Sequence, residues 1–559
     1  MKLTKYFMPL AAIALLASCS NDNKVEVPDS PKNPETNVDA NVAFNLQLVA
    51  DPSSRAEYEY ADGERNEYAI DNGYVYLFYG TDESDAIFVE SATLMLPVFA
   101  DYGDNNDYVT QTGTVKAKLE NTSATTSSYF VALVLNVDSK PADPSGKTMQ
   151  EWIAEDQGIT SFTHTANDNT YFTMTNAPSY SGQSGQGISY LAKLSDEWKT
   201  NQTDQIYAAT IYVQRVASKV TLNTNASYNV TANGTTTLTV DGWTLDNTAK
   251  KSYLFQNVYN DLQNDDDDMV WLSGSPNLTS ANDSRFYAYP TNGIFAHNRV
   301  FWSKDFDYDI DGTFDSYTDM TATTLTPLYT HENTFDVAHM TKENTTRVLI
   351  EATVNPDLGS GNAVGADGGF FKNINTELIY SKSTLEAAMN TALGVSNVTI
   401  NPDSYEAGYY SLEDLNIKIG DEDITPDQML VLISKMNLPS SDLAYYKDCK
   451  TYYQILVRHF NNNELGADFF NGTPQWEMTE NGYYINETVA SGVNDLNFLG
   501  RYGMVRNNWY DLTIQTITKI GYPEPPTPDD EWDDDPKEYN IQVNIAILAW
   551  AKRHFDYNL

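Results

Sequence analysis

Asp307, Asp309, Asp311, Gly312 and Asp315 place oxygen donors at alternate positions with a glycine for the turn, the opening of an EF-hand-like calcium loop. The twelfth position, where a bidentate Glu is required, is Thr318, and the flanks do not read as helices. The segment is therefore expected to be an acidic, solvated turn, and so is the run Asp265 to Asp268. His331 and His339, with Glu332 and Asp336 between them, supply metal-ligand types at no standard metalloprotease spacing, while His459 and His554 stand alone. There is no Gly-x-Ser-x-Gly elbow, phosphate loop or dinucleotide fingerprint. With 77 Asp plus Glu, no carboxylate pair is singled out for glycoside hydrolysis. No catalytic residue, metal or cofactor is expected.

The other side chain with chemistry is a thiol. Lys2 and Lys5 precede an apolar run, Phe7 to Ala17, that is too short to span a bilayer and has the form of a secretory signal. Leu16-Ala17-Ser18-Cys19 follows, and it resembles a bacterial lipobox, which implies cleavage before Cys19 and lipidation of that residue. The expectation is a signal peptide over 1–18 and a mature chain tethered by lipid. Cys449 reads as a partly buried thiol without a role.

Such a chain must be positioned by its folded elements, and composition bounds what they are. The 559 residues carry 34 Lys plus Arg and a net charge of −43, so phosphate backbones and anionic lipid would be repelled. Nucleic acid is excluded as a partner. An apolar fraction of 41% and an aromatic fraction of 12% with 38 Tyr argue for folded, half-buried strands. Strand signals over Tyr74 to Tyr79, Thr93 to Phe99, Tyr129 to Val137 and Ile206 to Leu222, separated by Gly, Asn, Asp and Ser, suggest antiparallel sandwiches rather than a doubly wound sheet. Two helices are expected. One has a capping box of Ser383 and Glu386 ahead of Leu385, Met389 and Leu393, and the other opens at Thr425-Pro426-Asp427-Gln428.

Two segments stand apart. In residues 41–50, Val42, Phe44, Leu46 and Leu48 alternate with small or polar residues. In 539–548, behind the acidic, Pro-containing linker 523–538, Tyr539, Ile541, Val543, Ile545 and Ile547 do the same, with Trp550 just beyond. Each is a ten-residue amphipathic strand that extends about 33 Å and could fill the same groove. Burying four such side chains gains roughly 6–12 kcal/mol before ordering entropy, so the last strand must find a sheet edge. That edge could belong to its own domain or to another copy, and strand addition in trans, head to tail, would make a filament.

Met504-Val505-Arg506-Asn507-Asn508-Trp509-Tyr510-Asp511-Leu512-Thr513-Ile514, Ile517 to Gly521, the linker, and Val543 to Trp550 resemble the C-terminal region of Bacteroidales-type fimbrillins, nearest to the major subunit of the short fimbriae. Val131 to Asn136, Val213 to Val220 and Gly242 to Leu245 fit the same pattern, whereas roughly 260–480 does not align. The resemblance implies two transthyretin-like β-sandwich domains, 56–222 and 223–522, with helical inserts in the second and a donor strand at 539–559. It also implies a lipoprotein exported to the outer membrane surface. An Arg-specific protease would remove 19–55 by cutting at Arg55-Ala56, with Arg65 as the competing site. The exposed groove would then receive the last strand of another copy. Implied partners are further copies, accessory or anchor subunits, the protease, and host or bacterial receptors; the outer membrane is met only through the precursor's lipid. This sequence departs from the family in having Ala549, not Pro, before Trp550, and in its short acidic linker. A monomeric surface lipoprotein binding glycans or host ligands is the second reading, and a hydrolase the third.

Overall fold

The computed structural model describes residues 42–49, 63–96, 109–121, 128–155, 158–177, 179–180, 188–195, 208–230, 235–257, 314–315, 326–334, 344–359, 362–364, 368–439, 441–457, 459, 476–478, 484–486, 502–526 and 541–549. All of them fall in one compact unit, Ala40–Leu559. The chain is mainly β, and no described helix is long and apolar enough to cross a membrane.

One sheet is built from the N-terminal part. Its strands are β1 (Val42–Val49), β2 (Gly73–Tyr79), β3 (Ile87–Thr93), β4 (Val109–Ala117), β5 (Tyr129–Leu135), β6 (Met174–Asn176) and β7 (Thr210–Arg215), in the order β3-β2-β5-β6-β7-β1-β4. A short helix, α1 (Arg65–Tyr68), precedes β2, and α2 (Met149–Ala154) follows β5 under a Thr148–Glu151 capping box. Every residue of β5 is buried, because the sheet is covered on both faces. Val131, Leu133 and Leu135 enter one core with Phe44, Val75, Leu77 and Val115, while Phe130, Ala132 and Val134 enter another with Tyr76, Phe78 and Ile153. The sheet curls until its ends meet: Met95 N donates to Lys116 O (2.7 Å) and Lys116 N to Met95 O (3.1 Å).

At Val216 the chain leaves this sheet. β8 (Ala217–Asn223), β9 (Thr237–Asp246), β10 (Leu328–His331), β11 (Arg347–Asn355), β12 (Phe370–Asn373), β13 (Leu443–Tyr446), β14 (Lys450–Leu456), β15 (Asn508–Ile517) and β16 (Ile541–Ala549) build the rest. One sheet runs β10-β8-β15-β16; a second runs β9-β11-β14, with Tyr228–Asn229 on the free edge of β9. Val220, Leu222, Leu512 and Ile514 of the first share a core with Trp243, Ile350 and Tyr453 of the second, so the two sheets pack face to face.

An insert of 371–445 has its own core. Helices α3 (Lys382–Leu393) and α4 (Pro426–Met436) contribute Leu385, Met389 and Leu432, which pack with Phe371, Leu443 and Tyr445. α4 begins as the sequence predicts, with Thr425 and Gln428 completing a capping box and Pro426 at the first turn. α3 does not: its N-cap is Ser381, which accepts from Thr384 N, and Glu386 instead accepts from Ile400 N. Two further expectations shift. The strand expected over Thr93 to Phe99 is the preceding Ile87–Thr93, and Ile206 to Leu222 is divided by Val216 between β7 and β8.

Two ladders are parallel, β1 with β7 and β8 with β15, so the sheets are mixed rather than wholly antiparallel.

Candidate functional site

The first strand lies inside its sheet. Val42 to Leu48 pair antiparallel with Ala117 to Gln111 of β4, and the register slips between Leu48 and Val49. On the other edge Asn45 to Leu48 run parallel to Thr210 to Val213 of β7. Phe44 is fully buried, and the two-residue period of a strand puts Val42, Leu46 and Leu48 on its face. Opposite that face β4 offers small residues, Gly113 across from Leu46, Val115 from Phe44 and Ala117 from Val42, which leaves volume for a bulky inserted strand.

The last strand lies at an edge. Asn508 to Ile514 of β15 pair antiparallel with Ala549 to Val543 of β16, the register shifts between Ile514 and Thr516, and Ile541 pairs with Ile517. Among the described residues β15 is the only ladder partner of β16. Ile541, Val543, Ile545 and Ile547 therefore fall in one folded-back strand. Tyr539 and Trp550 lie outside the described residues, as do Cys19, Arg55 and Ala56.

Between the two sits a cluster of buried charge that sequence reasoning missed. Lys219 Nζ lies 2.7 Å from Glu67 Oε1, with both side chains at most 3% exposed, and 3.9 Å from the centroid of the Trp509 ring. Tyr329 donates its hydroxyl proton to the same carboxylate, and Arg215 Nε donates to the Glu67 carbonyl. Burial lowers the Lys219 pKa and Arg215 lowers it further, while Glu67 opposes both. Arg215 also donates through Nη1 to Asn507 Oδ1 (3.2 Å), and Ser218 Oγ to Val505 O (2.8 Å). Arg506, itself fully buried, pairs with Glu332 (3.1 Å) and donates to the carbonyls of Tyr253 (2.7 Å) and Leu254 (3.2 Å).

The stretches 213–220 and 504–514 thus meet here. The signal that could have found the cluster is charge inside apolar strand runs, Lys219 between Ala217 and Val220 above all, because a buried charge requires a partner. His331 and Glu332, weighed as metal ligands, are both occupied in this packing. His331 Nδ1 shares a hydrogen bond with Ser252 Oγ (2.9 Å), and Glu332 is the partner of Arg506. His459 shares one with the Tyr510 hydroxyl (2.8 Å). Among the described residues no group of three or more His, Cys, Asp or Glu could hold a metal ion. Of the acidic loop only Phe314–Asp315 is described, as a strand paired with Thr248–Ala249; Asp307, Asp309 and Asp311 lie outside the described residues.

No curated protein matches the chain. Solved structures of similar outline include a fimbrilin from Porphyromonas gingivalis at 11% identity and a TM-score of 0.34, covering 92% of this chain and 99% of that one. The C-terminally truncated tip fimbrial protein of the same organism overlays at 10% identity and a TM-score of 0.31, covering 91% and 99%. A candidate cell adhesion protein from Parabacteroides distasonis overlays at 12% identity and a TM-score of 0.36, covering 92% and 99%. Overlays this loose add nothing to the sequence evidence. Residues 480–556, by contrast, match the family model described as major fimbrial subunit protein type IV, fimbrillin, C-terminal. With that match the resemblance to the fimbrillins stands: the C-terminal region of this chain is that of a fimbrillin.

Proposed function

We propose that this protein is a structural, non-catalytic subunit of a bacterial surface fimbria, made as an outer-membrane lipoprotein on Cys19 and polymerised by strand exchange. An Arg-specific protease cuts at Arg55-Ala56 and frees β1, and the last strand of another copy enters the gap between β7 and β4. The resulting fibre, joined to accessory or anchor subunits, supports adhesion and biofilm formation. The observation that carries this reading is the position of β1: an internal strand, bonded on both edges, that belongs to the chain's N-terminal end and so can be removed by one cut. Its loss leaves two facing rows of unpaired backbone groups and an empty seat at Phe44, which a single amphipathic strand satisfies.

The charge cluster favours Arg55 over Arg65 as the site of the cut. Arg65 opens α1 two residues before Glu67, whose carboxylate is buried against Lys219, so a protease would have to unpick that pair to bind the chain extended. Cutting at Arg55 leaves the anchor in place. Two domains, 56–222 and 223–522, accord with the change of sheet at Val216.

The test is to treat purified residues 20–559 with an Arg-specific protease, sequence the new N-terminus, and image the product beside a chain ending at Glu538. Filaments from the full chain alone, beginning at Ala56, are the expected outcome. A cleaved product of the full chain that stays monomeric would overturn the proposal.

A further inference from the structure

The gap that β1 fills has a register. We propose that a second copy's last strand enters it with Ile541 in the place of Val42, Val543 of Phe44, Asn544 of Asn45, Ile545 of Leu46, and Ile547-Leu548 of Leu48-Val49. This rests on the strand-exchange reading and adds which residue goes where.

Strand periodicity allows only even shifts, because an odd one turns the apolar row to the wrong face. Among these the break in alternation decides. β1 ends in two successive apolar residues, Leu48 and Val49, and there its ladder with β4 slips: Leu48 lies opposite Gln111 but Val49 opposite Val109. A bulge re-aims side chains locally, so this end of the gap accepts two apolar residues in a row. β16 contains the doublet Ile547-Leu548 at the matching distance from its start. Sliding the strand two residues one way puts Leu548 in the place of Gln47 and Ala549 in that of Leu48. Sliding it two the other way carries the doublet past Val49 and puts Ala546 there. Only the proposed register also sets Asn544 where Asn45 was.

The pairing geometry makes this measurable. Lys116 turns its N–H and C=O toward Met95, so its cross-strand pair with Ala43 on the opposite edge is not hydrogen-bonded. Pairs alternate along an antiparallel ladder, so Asn45–Thr114 and Gln47–Thr112 are also non-hydrogen-bonded, the close kind that suits a disulfide.

Chains carrying Thr114→Cys are mixed with chains carrying Gln542→Cys, Asn544→Cys or Ala546→Cys, cleaved, assembled and oxidised. Mixing separate populations makes every cross-link intermolecular. Covalent dimers are expected with Asn544→Cys alone, and Thr112→Cys is expected to select Ala546→Cys, which reads the same register should the first pair disturb folding. Dominant cross-linking of Thr114→Cys to Gln542→Cys or Ala546→Cys, in chains that do form filaments, overturns the register and leaves strand exchange standing. Filaments with no cross-link at any position show that the strand enters elsewhere, and cleaved chains that stay monomeric remove the exchange reading and the register together.

Discussion

β1 has β7 on one edge and β4 on the other, whereas β16 has β15 beside it and, among the described residues, nothing beyond. Both are amphipathic strands of similar length at opposite ends of the chain, yet the work of extracting them differs. Withdrawing β16 breaks one ladder. Withdrawing β1 breaks two, at a net cost of about 0.5–1.5 kcal/mol for each hydrogen bond, and empties a fully buried aromatic seat as well. The strand that is harder to withdraw is the one a cut would have to release, and the one that peels off most readily is the one free to be given away. On the proposed function this asymmetry holds the precursor monomeric: its acceptor gap is closed from both sides until the chain before it is severed.

The sharpest way to break the comparison is to remove the edge strand. A chain ending at Glu538 is expected to fold, to be cut, and to form no filaments. Its melting temperature should fall far less than that of a precursor whose β1 is displaced, because only one ladder is lost. Thermal denaturation of the two, read alongside microscopy, checks both halves of that expectation. A truncated chain that polymerised normally would show that β16 is a structural strand of its own sheet and nothing more.

Next in size is the seat itself. Phe44→Ala deletes a wholly buried ring from the core that also holds Val75, Leu77 and Val115, and is expected to cost the uncleaved chain about 3–5 kcal/mol in urea unfolding. The same substitution should have no effect on assembled filaments, where residue 44 is gone. Equal destabilisation of both forms would mean that β1 stays in place after cutting.

How much of this was readable in the residues follows from the range of the interactions. β2, β5 and α4 are local matters of period and capping, and they fall where the sequence places them. α3 starts two residues early because Ser381, Ser383 and Thr384 compete as caps, and Glu386 is drawn away to Ile400 N across a later turn. The alternation of β1 and β16 was legible for the same local reason, but their partners were not. That β1 runs parallel to β7, or that Arg215 reaches Asn507 across 292 residues, depends on tertiary contacts that no window of sequence contains. The charge cluster belongs with these: Glu67 looks like any surface acid until the fold brings Lys219 and Tyr329 to it.

That cluster sharpens the comparison from the side of what is retained. α1 follows the segment to be removed, and Glu67→Gln would leave the Lys219 ammonium buried without a counter-charge. The expected loss is about 3 kcal/mol, since breaking a buried pair from one side is worse than never having had it. Unlike Phe44→Ala, it should appear in precursor and cleaved chain alike. A loss confined to the precursor would tie α1 to the removable segment instead of to the body.

The smallest effect expected is a pH dependence that separates the part of the fold holding β1 from the junction. His164, on the hairpin Thr163–Ala166 and Asn169–Phe172, is held between Asp138 Oδ1 (2.7 Å) and Asp71 Oδ2 (3.0 Å). Burial alone would lower its pKa, but the hydrogen bonds and charges of the two aspartates outweigh burial and raise it above 6.5. A raised folded value means the stabilisation is complete below the unfolded pKa and is lost as pH rises through the folded one. His331 has the opposite sign. Burial, reinforced by the charge of Arg506 and opposed by a backbone hydrogen bond with Thr160, pushes it down to about 4, so the stability that comes from keeping it neutral is present above 6.5 and lost as pH falls through about 4. His164→Gln should therefore remove up to about 1 kcal/mol at pH 6, and less as pH rises through the folded value. It should leave the acid limb set by His331 unchanged. Urea midpoints of the wild type and the variant across that range decide the matter, and a difference that grew with rising pH would mean that the imidazole is held neutral between its two carboxylates.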